Sequence, residues 1–102
     1  MKLKKRNGEP FEIGPITTTH YVALYAHNAI NLKDEGVDGV VNVGEDIELL
    51  PDDREIKVNK IFQFFRENKI IPEPCSYYEE DDFLLNSLWQ LSEKLVKKIE
   101  EN

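Results

Sequence analysis

The chain has 102 residues, of which 40% are hydrophobic, and a formal net charge of −7. That length suits one globular domain burying roughly two thirds of its unfolded surface. No apolar run approaches the roughly 20 residues of a bilayer span, and the early lysines lead into no hydrophobic segment, so a soluble, unprocessed chain is expected.

A single cysteine, Cys75, excludes an intramolecular disulfide and a cysteine metal cluster, and fits a reducing, intracellular setting. Charge is unevenly placed. Lys2, Lys4, Lys5 and Arg6 gather at the start, while residues 7–102 hold the other nine basic and all twenty acidic side chains, a net of −11. Such a body repels phosphate, so nucleic acid is an unfavourable partner.

In chain order, Asn7 and Gly8 separate Lys2–Arg6 from Glu9–Ile13, and the pair favours a type I′ hairpin turn. Pro10 cannot donate to a ladder, which places its strand at an edge; Gly14 and Pro15 close it. Thr17 then caps a helix running to about Glu35, with Gly36 as its left-handed stop. The apolar stripe of that helix is Tyr21, Val22, Tyr25, Ala29 and Leu32, flanked by Ala26 and Ile30. Val40–Val43 is a short β-branched strand, Gly44–Asp46 turns it into Ile47–Leu50, and Pro51–Arg54 forms a second turn.

Two readings cover the next stretch. Ile56 and Val58 alternate with charge as a third meander strand would, with Asn59 then capping a short helix to Asn68. Alternatively a helix begins at Asp52 with Glu55 as its capping partner, because Val58, Ile61, Phe62 and Phe65 match the helical period. Ile70–Pro74 is an extended connector. Ser76–Glu100 reads as a long amphipathic helix: Leu84, Leu88, Leu91, Leu95 and Ile99 form the stripe, Leu85, Trp89 and Val96 widen it, and Ser76 with Glu79 makes a capping box followed by Glu80, Asp81 and Asp82 at the positive end of the dipole.

The two long-helix entrances, Pro15–Thr17 and Pro74–Ser76, are 59 residues apart, and at that offset Tyr25 matches Leu84, Ala26 matches Leu85, Ala29 matches Leu88, Ile30 matches Trp89 and Leu32 matches Leu91. Any two amphipathic helices can be slid until their stripes coincide, so the match is weak support for duplication. The expected fold is α+β: two strand-plus-helix motifs, near 1–50 and 51–102 of a single domain, related by a weak internal repeat. Short antiparallel strands would pack on two long helices and one short one.

A seam between such halves would be concave and apolar. Trp89, Ile30, Tyr25, Leu85 and Tyr78 are the candidate partner-binding residues there, since aromatic anchors bury much area at small entropic cost. Equally, Trp89 could simply close the core. The functional expectation is a non-enzymatic protein–protein interaction module, a monomer or a dimer, taking a peptide or protein segment in that groove or along an edge strand. The alternative is a nucleic-acid-associated regulator that uses Lys2, Lys4, Lys5 and Arg6, whose plainer role is to discourage edge-to-edge strand pairing.

Catalytic signals are thin. His20 and His27, seven residues apart on a helix, lie about 10 Å apart along it, too far to grip one metal. Cys75 precedes an acidic cluster that disfavours a thiolate. Glu79–Asp82 point in different directions and serve the helix dipole better than a cation. No catalytic residue, metal ligand or cofactor is assigned.

Taken whole, and most of all over Thr17–Leu32 and Phe83–Leu95, the chain resembles the small orphan proteins of filamentous viruses of hyperthermophilic archaea, the Acidianus filamentous viruses among them. That resemblance implies an intracellular accessory protein of the host cytoplasm and transfers no site residue. Abundant Lys, Glu and Ile and only two glutamines agree with a hot host, and eight asparagines do not.

Overall fold

The computed structural model describes residues 1–31 and 40–101. Its architecture is α+β: short antiparallel strands in two small sheets, and three helices among the described residues. The chain divides into two units, Met1–Asp52 and Asp53–Asn102.

In unit 1, β1 (Lys2–Lys5) pairs antiparallel with β2 (Pro10–Phe11) and with β5 (Ile47–Leu50), giving the order β2-β1-β5. The hairpin is where Asn7 and Gly8 put it, but the turn differs from type I′. Gly8 alone has the positive φ, +93°, and its N–H donates to the Lys5 carbonyl at 2.9 Å while the Lys5 N–H donates to Glu9 at 2.8 Å. This is a three-residue loop closed by a left-handed glycine; the Asn7 side chain accepts from the Glu9 N–H at 3.0 Å instead of entering the left-handed region itself.

Side-chain alternation sorts the sheet. Leu3 faces Phe11 and Leu49 across the ladders and shares its face with Ile47; this face packs into a core of Leu3, Ile13, Leu24, Ile30 and Ile47. Lys2, Lys4, Glu48, Pro10 and Leu50 take the other face.

α1 (Thr18–Ala26) is capped by Thr17, as its sequence requires, but stops far short of Glu35. His27 is its C-cap and Asn28 sits at φ +54°, a left-handed conformation that Asn tolerates because its short polar side chain can hydrogen-bond locally. The chain then enters β3 (Ala29–Asn31), which pairs with β4 (Val40–Asn42). Ala29 and Ile30, expected on a helical stripe, are therefore strand residues; the expected stretch Leu32–Gly36 lies outside the described residues. β4 and β5 belong to different sheets, so the three-strand meander is absent: β5 finds β1 instead.

Unit 2 is a helical pair, α2 (Asp53–Glu67) packed on α3 (Asp82–Glu100). Ile56 and Val58 are helical, so the reading with a helix from about Asp52 holds and the strand with an Asn59 cap does not. Asp53 and Glu55 sit in the first turn and Arg66 in the last, in keeping with the dipole. α2 ends in a Schellman arrangement: Lys69 is left-handed at φ +52°, its N–H donates to Arg66, and the Ile70 N–H donates to Phe65. α3 starts six residues later than Ser76. Its N-cap is Asp81, whose carboxylate accepts from the Leu84 N–H at 2.7 Å; the Ser76–Glu79 box does not form because 70–80 run outside helix. The expected flank is the true centre of the buried face: Leu85, Leu88, Trp89, Ser92 and Val96 are buried with Leu84, while Leu95 and Ile99 are exposed.

The 59-residue repeat fails on this architecture. It pairs Ile30 of β3 with Trp89 of α3, and every described strand falls in unit 1. No helix among the described residues is long and apolar enough to cross a membrane.

Candidate functional site

Of the five expected partner-binding residues, Trp89, Leu85 and Ile30 are buried. In unit 2, Trp89 is 1% exposed and meets Phe62 edge-to-face, ring centroids 5.1 Å apart at 73°, and Leu85 is 0% exposed. Ile30 belongs to the unit 1 core, and Tyr25 is half-buried on α1. As the chain is folded, the indole, Leu85 and Ile30 offer a partner almost no area. The apolar periodicity that singled them out marks burial, and burial is what it delivered.

Tyr78 is half-buried and has a structural task in unit 2. Arg66 donates to both carboxylate oxygens of Glu80, through Nε at 3.0 Å and Nη2 at 3.1 Å, and to Gln63 through Nη1 at 2.9 Å. The Tyr78 hydroxyl lies 3.2 Å from the Arg66 carbonyl and 3.1 Å from Glu80 Oε1, both acceptors for its one proton. These bonds latch the segment between the helices onto α2, whose Phe62 ring also lies under the guanidinium at 5.7 Å. Burial raises the Tyr78 hydroxyl pKa above its ordinary value, helped by the hydrogen bond to Glu80 and that carboxylate's charge. The bond to Glu80 raises Arg66, with burial opposing.

The remaining chemistry is dispersed. His20 takes part in the cap of α1, its Nδ1 accepting from the Thr17 N–H at 3.1 Å, and His27 is exposed. Cys75 is half-buried. Among the described residues no three His, Cys, Asp or Glu side chains converge as metal ligands. Of the N-terminal cations, Lys5 pairs with Glu9 at 3.9 Å and Arg6 donates to the Gly44 carbonyl at 2.7 Å, so the basic strand does not present its four charges as one phosphate-binding row.

Unit 1 carries a half-open cavity of about 570 Å³ along the hairpin, within the size range of ligand sites. Its apolar lining is Met1, Leu3, Pro10, Phe11, Ile13, Ile16 and Leu50; Lys2, Lys4 and Glu12 supply the charged side chains, and the Met1 ammonium is paired with Asp52 at 3.8 Å. Geometry accounts for it. The β1–β2 ladder ends at Leu3↔Phe11, so the chain after β2 leaves the ladder at Glu12, and Lys2 and Glu12 both line the opening. Ile13 is drawn into the core at 2% exposure, which pulls the wall inward, while Leu50 stays 41% exposed on the rim. The hollow is not legible in the sequence because its wall comes from residues 1–16 and from Leu50, which only the β1–β5 pairing brings together. The pairing that forms it, Lys2 with Leu50, joins residues 48 positions apart, and no neighbour in sequence announces it.

No protein-family model, curated protein or solved structure matches this chain.

Proposed function

We propose that this chain is a non-enzymatic interaction module that holds an apolar anchor of a peptide or protein segment in the hairpin cavity of unit 1. The observation that carries the reading is the cavity: about 570 Å³, mostly apolar walls, and an exposed leucine at its mouth. Contiguous apolar surface left to water marks interaction sites, and a hollow that accepts one large side chain is the usual form of a hot spot. Strand addition at the β2 edge is the weaker docking mode. β2 is an edge of two residues, one of which is Pro10 and has no N–H to donate.

The test is peptide display against the folded protein, followed by fluorescence polarisation with the selected peptides. Leu50→Trp places an indole at the mouth of the cavity on a strand that accepts aromatics. The expected result is selection of peptides with a large apolar residue and at least tenfold weaker binding to Leu50→Trp. Peptides that bind both proteins equally would refute the reading.

A further inference from the structure

We infer that the segment held in the cavity carries acidic side chains beside its apolar anchor; this deepens the function proposed above and rests on it. Lys2 and Lys4 lie two residues apart on β1, hence on one face, and both line the cavity. Against these two ammonium groups stands one carboxylate among the described lining, Glu12. Neither lysine enters an ion pair among the described residues, in a chain where acidic side chains outnumber basic ones by twenty to thirteen. Elsewhere the same excess is used: Lys5 takes Glu9, Arg54 takes Glu100 and Arg66 takes Glu80. Glu48 stands opposite Lys4 in the β1–β5 register without pairing with it.

Two cations without an ion pair among the described residues, beside apolar walls, are a complementary surface for a short acidic-apolar segment. The walls lower the effective dielectric, which strengthens a contact made there relative to one in open water. A long polyanion is a poorer fit, because residues 7–102 carry a net of −11 and the basic side chains of unit 1 gather at its N-terminal strand. At about 0.15 M salt the Debye length is roughly 8 Å, so a charge farther than that from the rim is largely screened while a contact made at the rim survives.

Three display libraries test this at that salt concentration, each with four random apolar positions flanked by Asp/Glu, by Asn/Gln or by Lys/Arg. The folded protein should enrich the acidic-flanked library, its peptides binding at least tenfold tighter than their Asn/Gln counterparts. The double variant Lys2→Glu/Lys4→Glu should lose that preference and take Lys/Arg flanks instead. Lys2→Gln/Lys4→Gln, with an unchanged circular dichroism spectrum, guards against a folding defect and should bind acidic and neutral flanks alike. Equal enrichment of all three libraries by the wild type, with loss on Leu50→Trp, overturns the acidic preference and leaves the interaction module standing. Enrichment of none above the level of Leu50→Trp overturns both.

Discussion

Replacing Trp89 by Ala should unfold unit 2 and not merely dull a binding surface. The indole is 1% exposed and packs edge-to-face on Phe62, itself 0% exposed. Truncating a buried Trp costs about 3–5 kcal/mol in lost transfer free energy and residual cavity, and loss of a favourable aromatic pair, worth about 0.5–1.5 kcal/mol, sets the expectation in the upper half of that range. At about 0.05–0.15 kcal/mol per residue, a unit the size of Asp53–Asn102 has on the order of 3–8 kcal/mol of stability in all. The variant should therefore lose most of its helical signal at room temperature or in mild denaturant. Guanidinium titration followed by circular dichroism at the helical band measures this without needing the deleted fluorophore. Because a full truncation can remove the signal altogether, a cycle of Trp89→Phe and Phe62→Leu supplies the pairwise term, expected at about 0.5–1.5 kcal/mol. A Trp89→Ala protein within 1 kcal/mol of wild type would refute the burial argument and restore the indole as a candidate contact.

Four further outcomes follow from local geometry. Asp81→Ala should cost about 1 kcal/mol, because its carboxylate caps α3, whereas Ser76→Ala should be silent; thermal melts of the pair decide which residue starts the helix. Lys69→Gly should stabilise unit 2 by about 0.5–1 kcal/mol by removing the side-chain penalty at φ +52°, read as a raised guanidinium midpoint with unchanged slope. Arg66→Lys should cost about 0.5–1 kcal/mol, since an ammonium cannot reproduce the two-pronged bond to the 40% exposed Glu80 carboxylate. Tyr78 holds its proton more tightly folded than unfolded, so above pH 10 the unfolded state ionises first and stability falls as pH rises; Tyr78→Phe should flatten that fall in denaturant titrations carried upward from pH 10.

Legibility tracked the range of the interactions involved. The Asn7–Gly8 hairpin, the Thr17 cap, the β-branched strand expected over Val40–Val43 and found over Val40–Asn42, and the amphipathic α3 are specified by neighbours in sequence, and all four are present. α1 was overextended because apolar residues continue through Ala29 and Ile30, and periodicity cannot say that a left-handed Asn28 will stop the helix and hand those residues to a sheet. Leu24, buried at 0% exposure, was missed for a related reason: a nine-residue helix apolar on several sides has no single stripe to read. Within α3 the flanking row of Leu85 and Trp89 proved to be the packed centre, a choice of about one residue's rotation that only α2 makes. The cavity was invisible because it depends on β1 meeting β5.

That pairing has a consequence during synthesis. Lys2 and Leu50 are ladder partners, so β1 must leave the ribosome and wait while more than forty further residues are made, some seconds at roughly 5–20 residues per second. During that interval the nascent hairpin has only its own short turn to hold it and an unsatisfied flank where β5 will dock. Lysine at three of the four β1 positions is well suited to such a delay, since it keeps neighbouring nascent chains from adding themselves to the open side.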